Sequence, residues 1–225
     1  MPESGLAGRA VLVVGAAGAL GAGLVTAFAE AGAQVTGVDR ALPATGRRRD
    51  EVSYRTVDVR DDAALAGLFD QDPPPWAVLN TVGGFTPHAP LTQLDAAVLT
   101  GQLELNLVSA ALVTKHALRV MQPLGEGRIV HTASRAGVVS KGSGFAYSVS
   151  KLGVLHLVTM AAEEMRGTGV TVNCIVPSII DTPANRAAMP DARHEAWPKI
   201  PDIARSYLFL ASPGAALVSG AAVPV

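Results

Sequence analysis

A tyrosine and a lysine four positions apart are the residues of this chain best suited to acid–base chemistry. Tyr147 and Lys151 are the first and last residues of the run Tyr-Ser-Val-Ser-Lys. On a helix this spacing places both side chains on one face, a single turn apart. Because a neighbouring ammonium favours the phenolate, we expect Lys151 to lower the pKa of the Tyr147 phenol towards neutrality and make it a general acid/base. The same spacing also fits an ordinary pair on an exposed helix, so the interpretation depends on the rest of the chain.

The N-terminal part of the chain predicts a strand, a glycine turn and a helix. The apolar run 11–14 leads into Gly-Ala-Ala-Gly-Ala-Leu-Gly at 15–21, and a helical pattern continues to residue 31, with Gly32 as its C-cap. This arrangement presents backbone N–H groups and the positive end of a helix dipole to a phosphate. A tight turn without a ligand is the alternative that the glycines alone leave open.

Two further polar residues stand at the ends of predicted strands. The strand 34–38 ends at Asp39, about 20 positions beyond the glycines, where a carboxylate accepts hydrogen bonds from an adenosine ribose. Ser134 ends the β-rich run 129–134, 13 positions before Tyr147. A strand-end hydroxyl that serves only the local backbone is the alternative for Ser134.

Taken together, these features resemble the short-chain dehydrogenase/reductase family over nearly the whole chain. The family's cofactor turn, TGxxxGxG, is similar to residues 14–21, with one glycine a position earlier. Its Asn-Asn-Ala-Gly motif is similar to residues 80–83, and its Asn…Pro-Gly…Thr segment is similar to residues 173–182. Three positions depart from the family pattern without removing a reacting group: Ala19, Thr81 and Ser178.

The resemblance implies a catalytic set made of Asn106, Ser134, Tyr147 and Lys151. In this set Tyr147 transfers a proton to or from the substrate oxygen, and Ser134 hydrogen-bonds the same oxygen. Lys151 also holds the nicotinamide ribose, and Asn106 keeps a bound water in a proton relay. A helix-bending polar group is the alternative for Asn106.

The resemblance also implies a nicotinamide dinucleotide as cofactor, with Thr182 and the Ile180 backbone anchoring its carboxamide. Asp39 favours NAD(H) because its carboxylate would repel a 2′-phosphate, whereas the neighbouring Arg40 leaves NADP(H) possible. The residues expected to contact the cofactor are Gly15, Ala17, Gly18, Ala19, Leu20, Gly21, Asp39, Arg40, Asp58, Val59, Asn80, Val82, Gly83, Tyr147, Lys151, Pro177, Ile180 and Thr182.

These features predict an NAD(P)(H)-dependent oxidoreductase that transfers a hydride between nicotinamide and a carbonyl or alcohol substrate, with Tyr147 as general acid/base. A finer resemblance, to the dihydropteridine reductase branch, rests on residues 18–21 and on residues 181–190 followed by Trp197. That branch is expected to lack the active-site serine, so Ser134 favours ordinary carbonyl or alcohol chemistry. A regulatory or non-redox protein that keeps the nucleotide-binding fold is the other alternative, and the intact catalytic set argues against it.

Composition and charge limit the expected partners. A chain of 225 residues with 49% hydrophobic content fits a single domain over 1–225. The net charge of −1 gives no electrostatic case for nucleic acid or an anionic membrane, and the basic run 47–49 fits a solvated loop, with a cofactor phosphate as the alternative contact. The single cysteine, Cys174, fits a buried core position in a cytoplasmic protein. We expect no signal peptide, no membrane span and no metal site, since the histidines show no ligand spacing.

Apolar runs alternate with helix-period stretches along the chain. This alternation predicts an α/β fold, a single Rossmann-type doubly wound parallel sheet of about seven strands with helices on both faces. Strands are expected near 10–14, 34–38, 52–57, 76–80, 128–133, 170–175 and 221–225, and helices near 19–31, 61–70, 95–121, 144–166 and 202–211. The loops 81–94 and 177–201 follow strands at the ligand-binding edge, and the second is expected to cover the substrate.

The two longest predicted helices also suggest self-association. The helices near 95–121 and 144–166 are apolar on more than one stripe, so each needs a partner besides its own sheet. In the family that this chain resembles, these helices form a dimer interface, and a C-terminal strand such as 221–225 can add a second contact. We therefore expect a homodimer or homotetramer.

Overall fold

The computed structural model describes residues 5–44, 48–70, 73–86, 90–139 and 144–225. At its centre is a seven-stranded parallel sheet, and the predicted ends of every strand lie within one residue of the observed ones. The strands are β1 (Ala10–Val14), β2 (Gln34–Asp39), β3 (Ser53–Thr56), β4 (Ala77–Asn80), β5 (Gly127–Thr132), β6 (Val170–Val176) and β7 (Ala222–Pro224), in the spatial order β3-β2-β1-β4-β5-β6-β7.

Helices cover both faces of this sheet, which confirms the predicted fold class. They are α1 (Ala19–Glu30), α2 (Asp62–Phe69), α3 (Ala96–Leu103), α4 (Ser109–Met121), α5 (Phe145–Glu164), α6 (Pro183–Ala188) and α7 (Ile200–Ala211). One core layer lies under α2, α4 and α5, and the other lies under α1 and α7. Strand β1 shows why both layers form: Leu12 and Val14 point into the first layer, and Val11 and Val13 into the second.

The helix predicted over 95–121 is interrupted at its centre. A π-helical segment, Glu104–Val108, separates α3 from α4 and contains Asn106. A π turn adds one residue to the regular hydrogen-bond ladder, and such turns are frequent at functional sites. The prediction of one continuous α-helix was wrong because apolar periodicity does not register a single inserted residue.

The segment predicted as a long loop over 177–201 has internal structure. It contains α6, a 3₁₀ turn at His194–Ala196 and a parallel bridge between Asp181 and Lys199. Helix α7 then begins at Ile200, two residues earlier than predicted. The bridge therefore joins the beginning of this segment to its end.

A line of buried polar side chains links the centre of the sheet to α4. The Asn80 amide donates to Nδ1 of His131 at 3.2 Å, and Nε2 of His131 lies 2.8 Å from the Thr114 hydroxyl. Because that hydroxyl donates to the Ala110 carbonyl at 2.8 Å, it accepts from the imidazole, and the network fits the neutral ring. Burial, and to a smaller extent the charge of Lys151, lowers the pKa of His131 to about 4.

The low pKa of His131 predicts that the folded protein loses stability in acid. The pKa of His131 is lower in the folded than in the unfolded chain, so the unfolded chain binds the extra proton first and stability falls as the pH drops from about 6.5 towards 4. Between pH 7 and pH 4.5, we expect the wild type to lose ~2 kcal/mol more unfolding free energy than His131→Gln, which retains a donor and an acceptor. Urea unfolding followed by circular dichroism at both pH values measures this difference. Equal losses in the two proteins would contradict it.

Candidate active site

The carboxyl ends of four strands bring the predicted site residues to one edge of the sheet. Strand β1 runs into the glycine turn, and β4 ends at Asn80. Strand β5 ends two residues before Ser134, and β6 ends one residue before Pro177. Helix α5 carries Tyr147 and Lys151 and packs against β6 and the turn after β5. Open α/β sheets bind their ligands at this edge.

The glycine turn is shaped for close backbone approach. Gly15 has a φ of +91°, a conformation that favours glycine, and its carbonyl accepts from the Gly18 N–H at 3.1 Å. A Cβ on Gly21 would lie 2.0 Å from that same carbonyl oxygen, so residue 21 must be glycine for α1 to start here. Gly18 is the N-cap and supplies no side-chain cap. The first N–H groups of α1, those of Ala19 and Leu20 included, have no partner within the helix and form the positive end of its dipole.

Asp39 lies at the end of β2, against the glycine turn. Its carboxylate accepts from the Ala17 N–H at 3.0 Å and from the Arg40 N–H at 2.8 Å. These bonds fix the carboxylate at the turn, whereas the Arg40 side chain is exposed. The structure thus brings Asp39 to the turn, as the sequence predicted, and leaves Arg40 at the rim.

Asp58 and Val59, also expected at the cofactor site, follow β3. Val59 is buried, and the Asp58 carboxylate pairs with Nε and Nη2 of Arg60 at 3.0 and 2.6 Å. These hydrogen bonds hold the pKa of Asp58 at about 2. The carboxylate therefore stays ionised over the physiological range.

Two arginines of the basic run 47–49 form hydrogen bonds with neighbouring residues of the chain. Arg48 donates to a backbone carbonyl at 2.8 Å, and Arg49 donates to the Glu51 carboxylate at 2.6 Å. Arg47 lies outside the described residues. These contacts agree with a solvated loop for Arg48 and Arg49.

The turn after β4 is held by side chains of its own motif. The Asn80 carboxamide oxygen accepts from the Val82 N–H at 3.1 Å. The hydroxyl of Thr81, which replaces the family's second asparagine, donates to the Val14 carbonyl at 2.9 Å. Thr81 therefore ties the end of β4 to the end of β1, where the glycine turn begins.

Lys151 is the buried cation of the site. Only 4% of the residue is exposed, and its Nζ donates to the Thr132 carbonyl at 2.9 Å. Burial lowers the pKa of Lys151 to about 8. A Cβ on Gly83 would lie 2.9 Å from Nζ, so the backbone after β4 reaches the ammonium because residue 83 is glycine.

The pKa of Tyr147 is shifted in the direction opposite to the prediction. Burial raises the pKa of the phenol, and a hydrogen bond with the Ser134 side chain opposes this effect. The Lys151 ammonium, which donates to the Thr132 carbonyl, does not offset the effect of burial on the phenol. The prediction that Lys151 lowers the Tyr147 pKa was wrong: the spacing places both residues on one helix face without fixing where the two polar atoms meet.

Ser134 has both a local and a long-range contact. Its Oγ caps the 3₁₀ turn Arg135–Gly137 by accepting from the Ala136 N–H at 3.2 Å. The same side chain also hydrogen-bonds the Tyr147 phenol. The strand-end role that the sequence left open is therefore real, and it coexists with contact to Tyr147.

An aromatic ring borders the Tyr147 phenol on another side. Phe85 packs edge-on against Tyr147, with ring centroids 5.3 Å apart and planes at 89°. The Phe85 residue is 57% exposed, so one face of the phenol is screened by a ring that also faces outward. Phe85 belongs to the loop predicted over 81–94, of which residues 87–89 lie outside the described part of the chain.

Asn106 connects the π-helical segment to both of its neighbours. Its side chain accepts from the Gly84 N–H at 3.0 Å and donates to the Gly84 carbonyl at 3.1 Å. It also donates to the Ser150 hydroxyl at 3.0 Å, and that hydroxyl donates to the Tyr147 carbonyl at 2.7 Å. The Asn106 amide thus positions the loop after β4 relative to the helix that carries Tyr147.

The sequence did not identify the side chains that hold these groups in place. Gln102 is buried four residues before Asn106 and lies within 3.5 Å of its amide nitrogen. The i, i+4 spacing of two amides was the available signal for Gln102, and the position of Ser150 within the Tyr-Ser-Val-Ser-Lys run was the signal for that hydroxyl. The buried His131 gave none, because a lone histidine in an apolar strand has many explanations.

The segment after β6 is fixed by backbone contacts. Pro177 is buried, and its carbonyl accepts from the Arg135 N–H at 3.0 Å. The Ile180 carbonyl accepts from the Asn185 amide at 2.8 Å, and the Thr182 hydroxyl caps α6 by accepting from the Asn185 N–H at 3.2 Å. Both groups expected at a carboxamide are therefore held by α6.

The donors and acceptors at this edge fit a nicotinamide dinucleotide. The unpartnered N–H groups at the start of α1 suit a pyrophosphate, and the Asp39 carboxylate suits ribose hydroxyls. Gly21 and Gly83 allow close packing of the backbone, at the turn and beside the Lys151 ammonium respectively, because a Cβ at either position would collide with neighbouring protein atoms.

Comparisons with known proteins agree with this geometry. Residues 9–193 match the family model described as short chain dehydrogenase. The chain is 33% identical to cis-4-hydroxycyclohexanecarboxylate dehydrogenase of Sinomonas cyclohexanicum, over 96% of this chain and 94% of that protein. It is 32% identical to D-threitol dehydrogenase of Mycolicibacterium smegmatis, over 96% and 90% of the two chains.

A solved structure shows the same fold over almost the whole chain. The short-chain type dehydrogenase/reductase from Mycobacterium ulcerans superposes with a TM-score of 0.91 at 27% identity, covering 98% of this chain and 89% of that one. The chain therefore belongs to the short-chain dehydrogenase/reductase family of NAD(P)-dependent oxidoreductases.

Proposed function

We propose that this enzyme transfers a hydride between nicotinamide and a small or medium carbonyl or alcohol substrate, with Tyr147 as general acid/base. The observation that carries the proposal is the hydrogen bond between the Ser134 side chain and the Tyr147 phenol, next to the buried Lys151. A hydroxyl pair at the ligand-binding edge can hydrogen-bond one substrate oxygen from two sides.

Each residue of the set has a distinct task in this proposal. When bound, nicotinamide supplies or accepts the hydride. Because burial raises its pKa, the Tyr147 phenol holds its proton at neutral pH and donates it to the carbonyl oxygen during reduction. Ser134 donates a hydrogen bond to the same oxygen as negative charge develops there. Lys151 binds the cofactor ribose, and Asn106 supports a proton relay while its side chain holds the loop after β4.

The names of relatives and the presence of Ser134 support the proposed substrate class. The names of two relatives, a hydroxycyclohexanecarboxylate dehydrogenase and a threitol dehydrogenase, describe enzymes that act on hydroxyl-bearing molecules. Their names and the presence of Ser134 favour alcohol or carbonyl chemistry over quinonoid dihydropteridine reduction, which remains the alternative activity. The segment 177–201, with α6 and its internal bridge, is proposed to cover the substrate. The cytoplasm is the proposed location, and neither nucleic acid nor membrane is a proposed partner.

Substitution of Tyr147 tests the proposed chemistry. Tyr147→Phe keeps the ring against Phe85 but removes the transferable proton, so turnover should fall ~100-fold or more while NADH binding persists. Oxidation of NADH is followed by absorbance over a panel of ketones, diketones and quinonoid pterins. Tyr54→Phe on β3 is the matched control and should retain activity. Turnover of Tyr147→Phe within ~3-fold of the wild type would show that another group is the acid.

We further propose that the enzyme prefers NAD(H). The Asp39 carboxylate is fixed beside the turn by two backbone N–H groups, so it cannot turn away from a 2′-phosphate without losing them. Arg40 is exposed next to it and offers a competing attraction for that phosphate.

Fluorescence titration with both reduced cofactors tests this preference. NADH is expected to bind ~10-fold more tightly than NADPH, since placing a phosphate next to a carboxylate is unfavourable. Asp39→Ser should reduce or reverse the difference in affinity between NADH and NADPH. Glu126→Gln, at the opposite edge of the sheet, should leave that difference unchanged. Tighter binding of NADPH to the wild type would overturn the proposed preference.

The exposed apolar side chains of α5 support the proposal of a homodimer or homotetramer. Leu152 and Met160 on α5 are 54% and 59% exposed. By length and composition alone, the stretches Ala96–Met121 and Phe145–Glu164 are apolar enough to cross a membrane, yet each packs one side against the core of the sheet. The apolar side that remains exposed suits a second copy of the chain across a two-fold axis.

Light scattering at micromolar concentration tests the assembly. We expect a mass of at least twice the 23.0 kDa of one chain. Met160→Glu should lower the mass because it places a charge in the buried contact. The matched control, Leu124→Glu in the turn after α4, should not. A wild-type mass equal to one chain would exclude the dimer.

A further inference from the structure

A cleft opens beside the carboxyl ends of β5 and β6. It has a volume of about 720 Å³, and its walls are mainly apolar. Val138 and Val139 form one side, and Trp197 and Pro198 from the segment after β6 form another. Val225, beyond β7, closes the end and is held there by the Ser178 N–H, which donates to the Val225 carbonyl at 3.2 Å. A hydrocarbon group of moderate size suits these walls.

One charged side chain, Arg135, lines this cleft. Its guanidinium has no hydrogen bond or ion pair with any residue in the described part of the chain. Two other arginines near this edge are paired: Arg60 with Asp58, and Arg186 with Asp181. Arg135 is exposed, and the fork of its guanidinium fits a carboxylate in two-point contact.

The position of Arg135 relative to the reacting groups is fixed by the backbone. It directly follows Ser134, and its N–H donates to the Pro177 carbonyl at 3.0 Å, which joins the ends of β5 and β6. Consecutive Cα atoms lie ~3.8 Å apart. One molecule of moderate size can therefore place its oxygen at Ser134 and a second polar group at Arg135, if several bonds separate the two.

We propose that the substrate is an apolar hydroxy or oxo acid whose carboxylate is bound by Arg135 while its hydrocarbon part occupies the cleft. This inference rests on the proposed function, because it assumes that the reacting oxygen lies at Ser134 and Tyr147. Arg135 is then the residue that selects acids over neutral alcohols and ketones of the same shape.

Binding of two unreactive probes of nearly equal shape tests the inference without turnover. The dissociation constants of cyclohexanecarboxylate and cyclohexanecarboxamide are measured by calorimetry on the NADH-loaded enzyme. We expect the carboxylate to bind ~10-fold or more tightly than the amide, since a hydrogen bond to a charged group is stronger than a neutral one. Arg135→Gln should bring the ratio of the two dissociation constants close to one, and Arg135→Lys should retain part of the preference for the carboxylate. Arg166→Gln, at the end of α5, changes the net charge equally and should keep the wild-type ratio.

The outcomes separate this inference from the proposed function. A carboxylate that binds no better than the amide, or a preference that survives in Arg135→Gln, overturns the role of Arg135. If the preference depends on Arg135 but no oxo acid, ketone or alcohol is turned over, the carboxylate site stands and the proposed oxidoreductase chemistry falls. If 4-oxocyclohexanecarboxylate is reduced with a kcat/KM ~10-fold or more above that of its methyl ester, both are supported.

Discussion

Burial of the Lys151 ammonium constrains the polar contacts around it at the carboxyl edge of the sheet. Removing the charge from water disfavours the charged form, and the fall of its pKa from 10.5 to about 8 corresponds to roughly 3 kcal/mol. Since the folded pKa is the lower one, this cost is fully present below about pH 8 and disappears as the pH rises past the unfolded value. The folded chain bears it at neutral pH, so the surrounding contacts must offset it.

The partner of that ammonium is itself held from several directions. Nζ of Lys151 donates to the Thr132 carbonyl, and the Thr132 hydroxyl donates to the Asn80 carbonyl at 2.9 Å and lies 2.6 Å from the hydroxyl of Tyr207. Tyr207 is fully buried on α7. Elements from both faces of the sheet therefore converge on one strand-end residue. A buried polar network with every member satisfied is rigid, which suits a group that must hold one position during a reaction.

The sequence predicted the parts of this arrangement that depend on local pattern. Most of the seven strands follow from short apolar runs, and the glycine turn follows from the positive φ of Gly15 and the close packing at Gly21. The direction of the Tyr147 pKa was not accessible, because it depends on how much water several distant segments exclude from the phenol. The π-helical segment at Asn106 was also missed, since one inserted residue barely alters apolar periodicity.

The two sides of the candidate active site differ in how strongly their side chains are fixed. On the inner side, Asn106 and Lys151 are buried and hydrogen-bonded, so their chemistry tolerates little displacement. On the outer side, Phe85 and Arg135 are exposed; the Phe85 ring packs against Tyr147, and the Arg135 backbone N–H donates to the Pro177 carbonyl. Substitutions there leave the inner network intact, because they remove few buried contacts. If the proposed roles hold, the groups that transfer the proton are the buried ones and the groups that select the substrate are the exposed ones, an arrangement in which substrate preference can change while the chemistry is kept.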